Sequence, residues 1–130
     1  MKIMIVDDHQ GMREMLRSLL PPSRFEVCEC QDGGEAVEAF RRFQPDWVLM
    51  DVMMKNTDGL AATRQLTTAF PDAHVVMVMD GLDARLRTAA RNAGACAFVA
   101  KDNLLEVRAL LESQPVTASS SARPQPQPFA

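Results

Sequence analysis

The stretch Ile3-Met4-Ile5-Val6-Asp7-Asp8 joins a short apolar run directly to two acidic residues. Two later apolar runs end in a similar way, with Asp51 after residues 47–50 and Lys101 after residues 97–100. Short unbroken apolar runs are typical of strands that are buried on both faces of a parallel sheet. In an open α/β sheet the ligand site lies beyond the carboxyl ends of the strands. We therefore expect three carboxylates and one ammonium to converge on one pocket, which suits a divalent cation and a phosphoryl group.

Helical patterns alternate with the apolar runs along the chain. The predicted strands cover residues 3–6, 25–30, 47–50, 74–79 and 97–100. The predicted helices cover residues 10–20, 34–43, 59–70, 83–93 and 103–114. Pro21 follows the first helix, and Gly94 stands where a left-handed cap would end the fourth. This alternation predicts an α/β fold, a doubly wound five-stranded parallel sheet with helices on both faces.

The composition fits one cytoplasmic domain over residues 1–114, followed by a flexible tail rich in Pro, Ser and Gln over residues 115–130. The chain has 130 residues, of which 47% are hydrophobic, so a single core can form. A net charge of −3 argues against nucleic acid as a direct partner. We expect no membrane span and no signal peptide, because no apolar run is long enough. The 3 cysteines are expected to be reduced packing residues.

Three motifs together resemble the receiver (CheY-like) domain of bacterial two-component response regulators. They are Ile5-Val6-Asp7-Asp8-His9, then Leu49-Met50-Asp51-Val52-Met53-Met54 with Asp58-Gly59, then Ala93-Gly94-Ala95 leading to Lys101. The resemblance covers residues 2–113 and implies the flavodoxin-like strand order 2-1-3-4-5. Lys101-Asp102 is similar to the receivers of LuxR-type regulators, although we expect no DNA-binding domain here.

The resemblance also implies roles for the residues of the pocket. Asp8 and Asp51 would bind Mg²⁺ directly, Asp7 partly through water, and Met53 through its backbone carbonyl. Asp51 would accept a phosphoryl group from a sensor histidine kinase or a phosphotransfer protein, and Lys101 would contact that group. Such a protein is a phosphoacceptor in signalling that assists its own phosphoryl transfer, rather than an enzyme.

Several residues depart from the usual receiver pattern. Met79 stands where receivers carry the Ser or Thr whose hydroxyl bonds to the phosphoryl group. Asp80 adds negative charge beside it, and Lys55 replaces the usual proline. Phe98 occupies the position of the switch aromatic residue. We therefore expect an atypical switch, with an unknown downstream protein bound through the 83–114 face.

Four functions are weighed on the sequence alone, and two of them are disfavoured. The first is a single-domain response regulator that signals by protein–protein contact after phosphorylation at Asp51. The alternative is a pseudo-receiver, a protein-interaction module that works without phosphorylation. A phosphatase of the haloacid dehalogenase type is disfavoured, because Met53 stands where that chemistry needs a second acid. Nucleotide binding is also disfavoured, because no glycine-rich fingerprint follows the first strand.

Overall fold

The computed structural model describes residues 1–81 and 83–113. Its strands are β1 (Lys2–Val6), β2 (Glu26–Cys30), β3 (Trp47–Asp51), β4 (Val75–Met79) and β5 (Ala97–Ala100). Its helices are α1 (Gln10–Ser18), α2 (Ala36–Phe43), α3 (Gly59–Ala69), α4 (Ala84–Ala93) and α5 (Leu105–Ser113). Short 3-10 turns cover Gly33–Glu35 and Lys101–Asn103. The predicted tail over residues 115–130 lies outside the described residues.

The strands form one parallel five-stranded sheet in the order β2-β1-β3-β4-β5, which confirms the predicted fold class. In the register of the sheet, Ile3 pairs with Trp47 and Met79 pairs with Ala100. The carboxyl ends of neighbouring strands therefore lie at nearly the same height. Because all strands point the same way, their carboxyl ends meet at one edge. The residues that follow β1, end β3 and follow β5 are therefore neighbours in space.

Two apolar layers hold the helices against the sheet, because successive side chains of a strand point to opposite faces. One layer contains Met4, Val6 and Met50 from the strands, packed on residues of α2, α3 and α4. The other contains Ile5 and Leu49, packed on residues of α1 and α5. Both faces of the central strands are thus buried, which is why these strands appear in the sequence as apolar runs rather than alternating patterns.

The predicted helix ends differ from the observed ones by a few residues. The helix predicted at 34–43 begins with a separate 3-10 turn, since the Asp32 side chain accepts a hydrogen bond from the Gly34 amide at 3.0 Å. The helix predicted at 10–20 ends at Ser18. Gly94 has a φ of 107°, which confirms the left-handed cap, and a Cβ there would come within 2.5 Å of the Thr67 hydroxyl. Within residues 1–81 and 83–113, no helix has the length and apolar character to cross a membrane.

Candidate functional site

Acidic side chains gather where β1 and β3 end. Ligand atoms of Asp7, Asp8, His9 and Asp51 all lie within 4.8 Å of one another. Asp7 and Asp51 are 0% and 1% exposed. Among the described residues, the Oδ2 atoms of these two aspartates have no hydrogen-bond partner. Buried carboxylate oxygens without a partner are costly, so their presence here indicates a site that is completed by a cation.

The donor set fits Mg²⁺. This ion takes hard oxygen ligands, is usually bound through one or two carboxylates, and keeps several waters. The carboxylates of Asp7, Asp8 and Asp51 can provide such oxygens, with Asp8 the most exposed of the three. His9 lies at the rim, where its Nδ1 is 2.9 Å from Oδ1 of Asp8. The residues present are therefore compatible with a divalent cation held mainly by oxygen.

Lys101 reaches the cluster from the far side, across β4. Its Nζ lies 3.1 Å from Oδ1 of Asp51, and the same oxygen accepts a hydrogen bond of 3.2 Å from the Met53 amide. One oxygen of Asp51 is thus fully occupied, while the other is free among the described residues. The two oxygens of Asp51 therefore differ, because Oδ1 accepts from Lys101 and Met53 while Oδ2 has no partner among the described residues.

Burial and charge set the protonation of the Asp51–Lys101 pair. Burial raises the pKa of Asp51, and the charge of Asp7 adds to this, against the lowering effect of Lys101 and the Met53 amide. Burial acts to lower the pKa of Lys101, but hydrogen bonding and charge from Asp51, with the charges of Asp80 and Asp7, raise it overall. Lys101 is therefore a cation at neutral pH, held beside a buried acid.

The loop between β3 and α3 is folded tightly against the site. The Lys55 amide donates a hydrogen bond of 2.7 Å to Oδ2 of Asp8, and Met53 forms an antiparallel bridge with Asp58. Gly59 permits the close approach of α3, because a Cβ on it would lie 2.1 Å from the backbone oxygen of Asp51. The Lys55 side chain itself is exposed. The contribution of residue 55 to the site therefore comes from its backbone.

Met79 and Phe98, the two positions that the sequence resemblance predicts to be switch residues, differ in their surroundings. Met79 is fully buried in the layer between the sheet and helices α2, α3 and α4. Phe98 is partly buried, with the Arg87 guanidinium 4.8 Å from its ring centroid. Asp80 is exposed and lines a cleft that also includes Asp8 and Lys101. Methionine has no hydroxyl, so Met79 cannot donate a hydrogen bond into the pocket.

Arg13 is a site residue that the sequence prediction missed. It lies in α1 with only 9% of its side chain exposed, and its guanidinium donates a hydrogen bond of 2.7 Å to the backbone carbonyl of Asp7. The signal was present in the spacing, since Arg13 shares its helix face with the buried Leu16 and Leu20. Met15, an apolar residue of the same helix, is by contrast 52% exposed.

The comparisons agree with this geometry. Residues 3–112 match the response regulator receiver domain family, and the chain belongs to that family. It is 33% identical over 123 residues to the transcriptional regulatory protein DegU of Brevibacillus brevis, an alignment covering 93% of this chain and 51% of DegU. It is 34% identical over 102 residues to the chemotaxis protein CheY of Halobacterium salinarum, covering 77% of this chain and 83% of CheY.

Solved structures show the same fold. A LuxR-family two-component response regulator from Aurantimonas sp. SI85-9A1 matches with a TM-score of 0.79 and 30% identity, over 86% of this chain and 82% of that one. The response regulator domain of Thermotoga maritima CheB matches with a TM-score of 0.75 and 27% identity, over 87% and 91%. The chain thus spans about half the length of DegU but most of these two solved chains.

Proposed function

We propose that this protein is a response regulator that accepts a phosphoryl group on Asp51 and signals through protein–protein contact. The supporting observation is the environment of Asp51, a buried acid with one oxygen bonded to Lys101 and the other without a partner among the described residues. In this proposal Asp8 and Asp51 bind Mg²⁺ directly, Asp7 partly through water, and Met53 through its backbone carbonyl. The phosphoryl donor is a phosphohistidine of a sensor histidine kinase or phosphotransfer protein.

The chemistry follows from the positions of these groups. Oδ2 of Asp51 would form a bond to phosphorus while the phosphorus–nitrogen bond of the donor histidine breaks. The electron pair of that bond returns to the imidazole nitrogen, which takes up a proton. Lys101 would move from Asp51 to a phosphoryl oxygen, since the attack neutralises the Asp51 charge that holds it. When bound, Mg²⁺ supplies positive charge that offsets the phosphoryl oxygens.

The first experiment measures intact mass after incubation with Mg²⁺ and a small phosphodonor. We expect the wild type and Asp58→Asn to gain one phosphoryl group, and Asp51→Asn to gain none. Asp58 is a matched control because it lies in the same loop and caps α3 through the Leu60 amide at 2.9 Å, a bond that asparagine can keep. Equal labelling of Asp51→Asn and wild type would overturn the assignment of the phosphoacceptor.

We propose that phosphorylation changes the conformation of this receiver only weakly. A hydrogen bond to a charged group is worth about 1.5–3 kcal/mol, and Met79 cannot make one to the phosphoryl group. Because a ligand shifts an equilibrium only through differential contacts, phosphorylation should move this chain less than a receiver with Thr. The pair Met79→Thr and Met79→Val tests this, since Thr and Val have similar shapes and only Thr has a hydroxyl.

We expect Met79→Thr alone to increase the phosphorylation-dependent change in amide hydrogen exchange of the 83–113 segment. That segment is the proposed docking face for a downstream protein. A cleft beside that segment is lined by Gly81, Phe98, Ala100, Asp102, Asn103 and Glu106. Equal responses of the Thr and Val variants would contradict the role given to the missing hydroxyl.

The second candidate is a pseudo-receiver that binds its partner without phosphorylation. The buried Met79 and the exposed Asp80 favour it, because neither assists a phosphoryl-driven switch. If the wild type gains no phosphoryl group from the small donor or from a phosphorylated histidine kinase, this second function is the better one.

A further inference from the structure

Arg13 is a buried cation beside the acidic cluster, and the proposed phosphoryl chemistry does not use it. Its guanidinium donates to the backbone carbonyl of Asp7 at 2.7 Å and to Oε1 of Glu29 at 2.9 Å. Glu29 belongs to the edge strand β2, so one side chain of α1 connects that strand to the loop after β1. A buried arginine with two such bonds has a fixed orientation.

We propose that Arg13 is a positioning residue for the metal-binding acids. It holds the peptide group between Asp7 and Asp8, so that both carboxylates face the pocket before a cation binds. This inference rests on the proposed function, because it concerns the same site.

The contacts of the loop support this role. The Asp7 amide donates to the Cys30 carbonyl at 3.0 Å, and Oδ1 of Asp7 accepts from the His9 amide at 2.8 Å. The Asp7 carbonyl turns toward the Arg13 guanidinium, whereas the His9 carbonyl accepts from the Arg13 backbone amide at 3.1 Å, as the first hydrogen bond of α1. The Arg13 side chain therefore fixes the direction of the peptide group between Asp7 and Asp8.

Such a restraint is needed because the acids repel one another. Ligand atoms of Asp7, Asp8 and Asp51 lie within 4.8 Å, and without a cation each would lower its energy by turning toward water. A loop held in the binding geometry does not lose this freedom when the cation arrives, so the affinity for the cation is higher.

Glu29 explains why the positive charge of Arg13 can lie beside the acids without taking the place of the metal ion. Its carboxylate pairs with Arg13 through one oxygen and with Arg17 through the other, at 2.9 Å and 2.5 Å. Glu29 therefore largely neutralises the charge of Arg13, and the hydrogen bond of Arg13 to the Asp7 carbonyl orients that peptide group. A lysine has no planar fork that could reach both partners in fixed directions.

The test titrates Mg²⁺ into the metal-free protein by calorimetry. We expect Arg13→Gln to raise the dissociation constant about tenfold, equivalent to about 1.4 kcal/mol. Arg17→Gln is the matched control and should stay within about twofold. Within residues 1–81 and 83–113, the hydrogen bond of Arg17 goes to Glu29 and not to the Asp7 carbonyl.

The rate of phosphoryl incorporation separates positioning from general packing. In Arg13→Gln the Mg²⁺ concentration for half-maximal rate should rise about tenfold, with the rate at saturating Mg²⁺ close to that of wild type. A lower maximal rate with unchanged Mg²⁺ affinity would overturn the proposal.

Arg13→Lys keeps the positive charge, and it tests the positioning role if Arg13→Gln does not fold. We expect it to weaken Mg²⁺ binding by about threefold or more, because one ammonium replaces the fork. An Mg²⁺ affinity within about twofold of wild type in every folded Arg13 variant would refute the positioning role while leaving phosphorylation at Asp51 intact. No Mg²⁺ binding by the wild type would instead remove the proposed function itself.

Discussion

Replacing Asp7 with asparagine should stabilise the metal-free protein. Asp7 is fully buried, its Oδ1 accepts a hydrogen bond from the His9 amide, and its Oδ2 has no partner among the described residues. In Asp7→Asn the oxygen can keep the bond to His9. The new amide nitrogen takes the position of Oδ2 and can donate to a neighbouring carboxylate, either Asp8 or Asp51.

The size of the effect follows from the spacing of the charges. At 4.8 Å, the largest separation in the cluster, two unit charges repel by about 3.5 kcal/mol at an effective dielectric constant of about 20. The Lys101 ammonium, 3.1 Å from Asp51, offsets part of this repulsion. We therefore expect the free energy of unfolding to rise by about 1–3 kcal/mol, or roughly 4 °C in Tm per kcal/mol for a domain of this size.

The assay is urea and thermal unfolding of wild type and Asp7→Asn, in a chelator and in excess Mg²⁺. A ligand at about 100 times its Kd stabilises a protein by about 2.7 kcal/mol. Excess Mg²⁺ should therefore raise the free energy of unfolding of the wild type and remove most of its stability difference from Asp7→Asn. Asp72→Asn, at an exposed position after α3, controls for the change in net charge. If Asp7→Asn in chelator is no more stable than wild type, the acidic cluster is not under electrostatic strain and this reasoning fails.

Two further predictions concern the packing near the site. Gly59→Ala should destabilise the fold by about 3 kcal/mol or more, because its Cβ would meet backbone atoms of Asp51; Gly11→Ala, where a Cβ has no neighbour within 4 Å, should not be destabilising. Denaturant unfolding of both variants measures the difference, and equal stabilities would contradict the close approach of α3. Burial raises the pKa of Cys30 from 9.0 to about 12, so alkylation of Cys30 at pH 8 should be roughly a thousandfold slower in the folded than in the unfolded protein. The stabilising contribution of this neutral thiol should be present below pH 9 and be lost as the pH rises toward 12. Labelling of Cys30 is followed by mass spectrometry, and rapid labelling in the native state would show that Cys30 is not buried.

The acidic site could be predicted to a large extent from the sequence. Strands buried on both faces produce unbroken apolar runs, and such runs are a local signal that needs no tertiary information. Asp7 and Asp51 belong to the site because each stands where such a run ends. The position of Met79 was predictable in the same way, since it ends the apolar run of β4.

The contacts that complete the site were not predictable, because they join distant parts of the chain. The Lys55 amide bonds to Asp8 across 47 residues, and no property of the Lys55 side chain indicates this. Nothing in the local sequence indicates that Arg13 is buried, since arginine is seldom buried without a partner. Its partner Glu29 lies 16 residues away on β2, so only the folded arrangement reveals the pair.

The sequence by itself determined the order of strands and helices, and with it the edge of the sheet at which the acids meet. Hydrophobic pattern and turn residues act over a few positions, and they carry this information directly. The tertiary structure decided which oxygen of Asp51 lacks a partner in the part of the chain that the structure describes, where Lys101 and Arg13 direct their hydrogen bonds, and how deeply Met79 is buried. These properties depend on packing between elements far apart in the chain, where a shift of about 1 Å separates a hydrogen bond from none.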